Sequence, residues 1–409
     1  MNILIISQNF PPDIGGAAIR IFGFAKELSN LGNKVTVLCA NPIYPRGEIH
    51  LGYKNKFFQK DKSFVGFDAY RSYIFPVKPD SSFIKRLFSY FSFVILARFN
   101  LSKISKKFDI IIICSPPLFV SLIGIKAKRY FKANLYLDIT DAWPESAVAT
   151  GFMKKGILFK FGEKFEKWIY SHCNYFLASA DAIKTHLLSK GVEENKITLV
   201  YDAADIELFE KPVDTLFLRK KYNLEHKFVV GFTGLLGFAQ DPSSIVKVAN
   251  FLKDYRDIFF LIVGDGGKRK EAENLANQLN LKNIKFVGQI PRKEIPQYTK
   301  LFDVCLVTYK NEGLFRTTIP GKLFDYLSSQ KPIIINLEGK AADIILEARA
   351  GLVARSNDTQ DFANKILEIY KNRKIGKEMG KNGFKYVKIY YDRKVIVQKL
   401  NDLLLKTIV

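Results

Sequence analysis

The segment Pro320-Gly-Lys-Leu-Phe-Asp-Tyr-Leu-Ser-Ser-Gln-Lys-Pro-Ile-Ile-Ile-Asn336 reads as a loop, a short helix and a buried strand with charged groups at its mouth. Lys322 falls in the first helical turn, where free backbone N–H groups and the positive dipole end favour phosphate. Gly321 and Leu323 flank it, and Asp325 lies one turn further along the same face. One cation and one carboxylate at the carboxyl end of a sheet suit a nucleoside diphosphate and its ribose. The same residues also fit a capped surface helix with a solvated Lys and Asp, so the other loops must decide.

Glycine-bearing turns recur where an apolar run gives way to a helical pattern. The first run is followed by Gln8-Asn-Phe-Pro-Pro-Asp-Ile-Gly-Gly-Ala-Ala-Ile-Arg20, in which Gly15 and Gly16 would let backbone N–H groups approach an anion. Its twin is Gly234-Leu-Leu-Gly-Phe-Ala-Gln240, with Gly234 and Gly237, and the two loops are expected to open into one cleft between domains. Val263-Gly-Asp-Gly-Gly-Lys268 contributes Gly264, Asp265 and Gly266, suited to a flat base or a phosphate, or to an ordinary tight turn. The backbone at Ile290, in Gly288-Gln-Ile-Pro291, could bond a base edge. Asp138-Ile-Thr-Asp-Ala-Trp-Pro-Glu145 sets three carboxylates after a strand, and Asp141 is the one expected to orient or deprotonate a sugar hydroxyl. The competing use of these carboxylates is to start and cap a helix.

The elements that would position these loops are short apolar strands alternating with helical segments. Ile3–Ser7, Val35–Cys39, Ile110–Cys114 and Leu135–Asp138 form one series. Phe228–Thr233, Phe259–Val263, Ile284–Val287, Val304–Val307 and Pro332–Ile335 form a second. Continuous apolar strands are buried on both faces, as in parallel sheets covered by helices, so the expected fold is α/β with two Rossmann-like doubly wound domains. At 409 residues, two domains are the default. The expected division is 1–202, 203–385 and a helix over 386–409 that crosses back to the first domain. The polar stretch from Tyr201 to Asn223 is expected to be the linker.

Composition narrows the partners. The net charge is +23, and about 16 basic against 4 acidic residues fall between Lys54 and Lys132. Nucleic acid, anionic lipid and phosphorylated substrates could each answer such a charge. Phe83–Phe99 sets basic residues around an aromatic and aliphatic segment of helical length, suited to a membrane interface or to a core helix with snorkelling side chains. No nucleic-acid-binding motif accompanies it. No apolar run is long enough to span a bilayer, and Met1–Ser7 lacks the n-region and cleavage site of a leader. Cys39, Cys114, Cys173 and Cys305 have no metal-ligand spacing and read as reduced core thiols. A cytosolic protein, peripheral on the inner membrane, is expected.

Taken together, Pro11-Pro-Asp-Ile-Gly-Gly16 with Arg20, Ser115-Pro-Pro-Leu118, Asp138–Glu145, Gly234–Gln240, Val263–Gly266 and Pro320–Leu327 resemble retaining glycosyltransferases of the GT-B fold, family 4. The subgroup is the one similar to bacterial L-fucosamine and colanic-acid transferases. The resemblance implies a nucleotide-sugar donor held by the second domain and a polyprenyl-linked saccharide acceptor approaching the first. It further implies Asp325 on the ribose hydroxyls, Lys322 and Arg316 on the diphosphate, no metal or other cofactor, and a monomer or weak oligomer. A UDP-linked donor and a role in O-antigen or capsule synthesis are expected.

Several positions depart from the family pattern. Thr317 stands where a hexose-facing glutamate is usual, which points to a deoxy or N-acetylamino sugar. Thr140 replaces a histidine or arginine, Asp202-Ala203 replaces Asn-Gly, and Gly234–Gln240 lacks the usual Arg and Lys. These changes keep two other readings open: a non-catalytic nucleotide-sugar-binding subunit that recruits partners at the membrane, and a nucleotide-sugar epimerase.

Overall fold

The computed structural model describes residues 1–78, 81–104, 107–149, 153–310 and 319–408. The chain divides into two compact units, Met1–Asp202 with Arg393–Val409, and Ala203–Asp392.

In the N-terminal unit eight strands form one sheet: β1 (Asn2–Ser7), β2 (Lys34–Ala40), β3 (Phe58–Asp61), β4 (Asp68–Ser72), β5 (Ile110–Ser115), β6 (Asn134–Ile139), β7 (Tyr175–Ala178) and β8 (Ile197–Leu199). Their order is β3-β4-β2-β1-β5-β6-β7-β8, parallel except for β3. β1 sits at the centre, with Ile3 to Ile6 inaccessible to solvent, because helices cover both faces and leave no polar side. The strand order reverses between β1 and β5, so the loops after those strands, Gln8–Gly15 and Ser115–Pro117, flank the crevice where such sheets receive ligands.

The C-terminal unit repeats the plan with β9 (Phe228–Thr233), β10 (Ile258–Val263), β11 (Ile284–Gly288), β12 (Val304–Val307), β13 (Ile333–Ile335) and β14 (Gly351–Val353). The order is β11-β10-β9-β12-β13-β14, all parallel, and the switch point lies between β9 and β12. The register of β10 on β11 shifts at Val263, which pairs with Gly288, marking a bulge at the carboxyl end of that pair.

The stretch from Tyr201 to Asn223, read from sequence as a linker, carries two short helices, Ile206–Glu210 and Leu216–Lys221. The chain returns to the N-terminal unit at Arg393, not at 386. The reason is the helix Arg373–Tyr390, which keeps close to the helix Gly321–Ser328 through a stripe of glycines. A Cβ on Gly380 would stand 2.1 Å from the carbonyl oxygen of Gln330, and one on Gly383 would stand 2.8 Å from a Leu327 methyl. Beyond it, the helix Arg393–Lys406 completes the first sheet's cover. Arg393 fills the space beside Gly23, and Asn401 accepts a hydrogen bond from Asn33 at 2.8 Å.

Gly380→Ala should therefore destabilise the C-terminal unit by about 1–3 kcal/mol through overpacking. Gly267→Ala, where a Cβ meets nothing within 4 Å, should leave the thermal midpoint unchanged. Melting curves of the two variants check this.

Candidate functional site

The C-terminal unit gathers its loops by contact of backbone on backbone. Gly234, at φ 129°, bonds through its N–H to Val263 O at 2.9 Å. Gly264 and Gly266 have φ of 148° and 158°, a region that favours glycine. A Cβ on Gly264 would lie 1.8 Å from Gly234 O, and one on Gly266 2.5 Å from Leu236 O. The turns after β9 and β10 thus touch where any side chain would hold them apart. Asp265 is left exposed, its carboxylate accepting from the Gly266 N–H at 2.8 Å. Gly237 is half-buried beside Gln240, whose side chain donates to Tyr309 Oη at 3.0 Å.

Over this floor stands Lys322, from the first turn of the helix Gly321–Ser328. Tyr326 anchors that helix, its hydroxyl accepting from the Thr233 N–H at 2.7 Å. The lysine stem reaches the surface, but Nζ is shielded from solvent and has no hydrogen-bond partner among the described residues. It lies 3.5 Å from the centroid of the Phe232 ring and beside Gly234, whose added Cβ would meet Nζ at 3.1 Å. Burial drives its pKa well below the ordinary lysine value, and the Asp325 charge opposes that only in part. The ring face compensates part of the lost hydration. An ammonium held in this way is poised for an anion.

Asp325 is engaged. Its carboxylate takes a two-pronged pair from Arg292, with one arm at 2.7 Å, and Arg292 reaches Asp205 at 3.4 Å and lies over Phe209. Burial opposes the guanidinium charge, and Asp325 with Asp205 outweigh it. Sequence reasoning did not select Arg292. Its only signal was a position directly after the Gly288–Pro291 turn at a strand's carboxyl end. Of the other expected ligands, Leu323 is fully buried and serves packing, Gly321 is exposed, and Ile290 is half-buried. Arg316 and Thr317 lie outside the described residues.

In the N-terminal unit the carboxylates of Asp138–Glu145 separate by role. Asp138 is buried and paired with Arg20 at 2.7 Å, and Arg20 also holds Asp202 at 3.0 Å and Val200 O at 2.6 Å. Burial raises the Asp138 pKa and Arg20 opposes it. Glu145 accepts from Lys190 at 2.8 Å. Asp141 is exposed and makes no ion pair among the described residues. Burial of its surroundings raises its carboxyl pKa and Asp202 adds to this, while access to water limits the rise. Thr140 Oγ1 donates to Ser115 O at 3.2 Å. Asp13 fastens the Gly15 loop: its carboxylate accepts from Ile43 N at 2.9 Å and Tyr44 N at 2.7 Å, and burial pushes it up to about 6. Gly15 is extended at φ 173° and precedes the helix Gly16–Asn30, which no side chain caps.

Two family descriptions divide the chain. "Glycosyltransferase Family 4" matches residues 14–208 and "Glycosyl transferases group 1" matches residues 214–386. The chain is a family 4 glycosyltransferase of the GT-B fold. The glycosyltransferase is 23% identical over 405 residues to an uncharacterized glycosyltransferase of Methanocaldococcus jannaschii, covering 98% of this chain and 97% of that one. To the putative colanic acid biosynthesis glycosyl transferase WcaI of Escherichia coli it is 24% identical over 345 residues, 83% and 84% of the two chains. The fold matches that of Anabaena HepE, solved with UDP, at a TM-score of 0.72 and 16% identity over 99% of this chain and all of that one. Sucrose-phosphate synthase of Thermosynechococcus elongatus gives 0.76 at 15% identity, over 99% of both chains.

Two outcomes follow for the glycosyltransferase. Lys322→Met should stabilise the free protein by about 1–4 kcal/mol, as when buried charge is replaced by apolar volume. The depressed lysine is charged in both states below its folded pKa, so the destabilisation is full there. It is relieved as pH rises through the folded pKa toward the ordinary 10.5. The stability gap between variant and wild type should therefore narrow at alkaline pH, which urea titrations at several pH values measure. Arg20→Ala, which strands Asp138, should destabilise by about 3–5 kcal/mol in the same assay.

Proposed function

We propose that this glycosyltransferase moves a hexose, with retention, from a UDP-linked donor to a lipid-linked saccharide during cell-surface polysaccharide synthesis. The observation that carries the donor side is the shielded ammonium of Lys322, without a hydrogen-bond partner among the described residues, beside the Gly234 turn. A nucleoside diphosphate supplies the negative charge that this position lacks. The fold neighbour HepE, solved with UDP and with UDP-glucose, supports the uridine choice. The relative named for colanic acid biosynthesis supports the pathway class.

In this reading the acceptor hydroxyl attacks the anomeric carbon from the face that the diphosphate leaves. The bond from that carbon to the phosphate oxygen breaks, and the hydroxyl proton passes to the departing diphosphate. Glycoside and nucleoside diphosphate are the products. Lys322 stabilises the charge that develops on the leaving oxygens, and the amides of the glycine turns orient them. Asp325, aligned by Arg292, accepts from the ribose hydroxyls with its remaining lone pairs. Asp141, accessible and without an ion pair among the described residues, is the group that orients the acceptor hydroxyl. None of these steps calls on a metal, and turnover is expected to survive a chelator. The acceptor's lipid anchor places the protein at a membrane surface, where the basic region 54–132 faces anionic headgroups.

A thermal-shift screen against nucleoside diphosphates and their sugars tests the donor side. A uridine diphosphate should raise the midpoint, and both Lys322→Ala and Asp325→Ala should abolish the rise. No rise with any nucleotide would overturn the reading. Asp141→Asn should keep the rise while lowering turnover by about 100-fold, on the scale of a misplaced reacting group. Donor binding without transfer to any acceptor in the wild type would instead favour a binding subunit.

A further inference from the structure

Two helices of the N-terminal unit turn their apolar faces outward. On the helix Phe83–Asn100, Ile84, Phe88, Phe91, Ile95 and Phe99 are exposed by 37 to 75%. Their spacing of four, three, four and four residues places them in one stripe along the helix. On the helix Ile157–His172, Ile157, Phe161 and Trp168 are exposed by 45 to 76% and share a face in the same way. The stripes adjoin through stacked and tilted rings: Phe91 lies 4.9 Å from Phe119, Phe119 lies 5.3 Å from Phe165, and Phe165 lies 6.1 Å from Trp168. Phe119 also meets Trp143 at 5.5 Å, in the loop that carries Asp141. A joined apolar surface of this kind is a docking surface, not stray exposure.

The charges around it are sorted by sign. The helix Phe83–Asn100 contains Lys85, Arg86 and Arg98 and no acidic residue. On and before the second helix, Lys154, Lys155, Lys160, Lys164 and Lys167 are exposed. That helix has two glutamates, one buried and one half-exposed, and both are paired. Glu166 is buried and meets His186 at 2.6 Å and Lys190 at 3.1 Å, while Glu163 meets Lys190 at 3.1 Å. The outer face is therefore aromatic, aliphatic and cationic. Lys126 holds its ammonium 5.3 Å from the Phe99 ring, so the rim of the stripe is cationic as well.

We propose that these two helices form one surface that lies in the headgroup region of an anionic bilayer, with the rings of Phe88, Phe91, Phe161 and Trp168 among the acyl chains. The inference deepens the proposed function, since it rests on the reading of the acceptor as lipid-linked and says which face meets the lipid. It moves the contact from the basic stretch 54–132 alone to a pair of helices, the second of which lies outside that stretch. A second copy of the chain is a poor occupant, because two cationic faces repel. An anionic bilayer answers both the apolar stripe and its charge.

The test is cosedimentation of the full chain, without donor or acceptor, with vesicles of phosphatidylcholine alone or with 30% phosphatidylglycerol. Binding to the anionic vesicles only is expected. Phe88→Ser with Phe161→Ser should weaken it about tenfold or more. Lys154→Gln, Lys160→Gln and Lys164→Gln together should weaken it about a hundredfold, at roughly fivefold per lysine. All five positions are exposed, and unchanged melting of the free variants would confirm intact folds. The proposal is overturned by equal binding to neutral vesicles, by no vesicle binding, by preference for RNA over vesicles, or by a dimer that the two Ser substitutions dissociate. Failure here would leave transfer to a lipid-free acceptor intact, whereas failure of the transferase reading would leave vesicle binding intact.

Discussion

A lysine ammonium withdrawn from water, with no hydrogen-bond partner among the described residues, is the constraint around which the C-terminal unit is arranged. Such a charge destabilises the free protein, and it persists only because everything near it leaves no alternative. Phe232 closes one side with a ring face, Gly234 leaves just enough room on another, and Tyr326 pins the helix that carries the lysine to the end of β9. Asp325 could have swung to meet the ammonium, but Arg292 holds both of its oxygens. Among the described residues the cation is left without a hydrogen bond while the neighbouring anion is held by something else.

The N-terminal unit handles buried charge in the opposite way. Arg20 is enclosed, and Asp138, Asp202 and Val200 between them occupy its donors. Lys190 is likewise surrounded by Glu145, Glu163 and Glu166, with His186 against the last of these. These groups are structural: they tie loop ends to helices. In the loop that follows β6 only Asp141 escapes such pairing among the described residues. The difference between Asp138 and Asp141, three positions apart, is that one points into the sheet's edge where Arg20 waits and the other faces solvent.

What could be read from the chain divides along the same physical line. Runs such as Ile110–Cys114 announce buried parallel strands because nothing polar interrupts them, and the glycines at 234, 264 and 266 announce tight turns. The place of Lys322 in a first helical turn could be read because a helix start and its register are local properties. Arg292 could not, since its partner lies 33 residues away and the two meet only when β11 ends beside the helix of Asp325. Arg20 and Asp138 stand 118 residues apart, so which carboxylate of Asp138–Glu145 remains accessible depends on a tertiary pair. The return of the chain at 393 and not 386 has a similar cause. It is set by glycines whose neighbours, Gln330 and Leu327, are remote in sequence.

That return has a consequence for the order of assembly. The helix Arg393–Lys406 belongs to the unit whose first strand begins at Asn2; it supplies Asn401 to Asn33, and Thr407 just after it meets Asn134 and Tyr136. During synthesis on the ribosome, all of 203–392 has been translated before this last piece emerges. Of the two units, the one begun earlier is thus completed later. Until then Gly23 and its helix present to the cell an unfilled apolar seam that a nascent-chain chaperone is suited to cover.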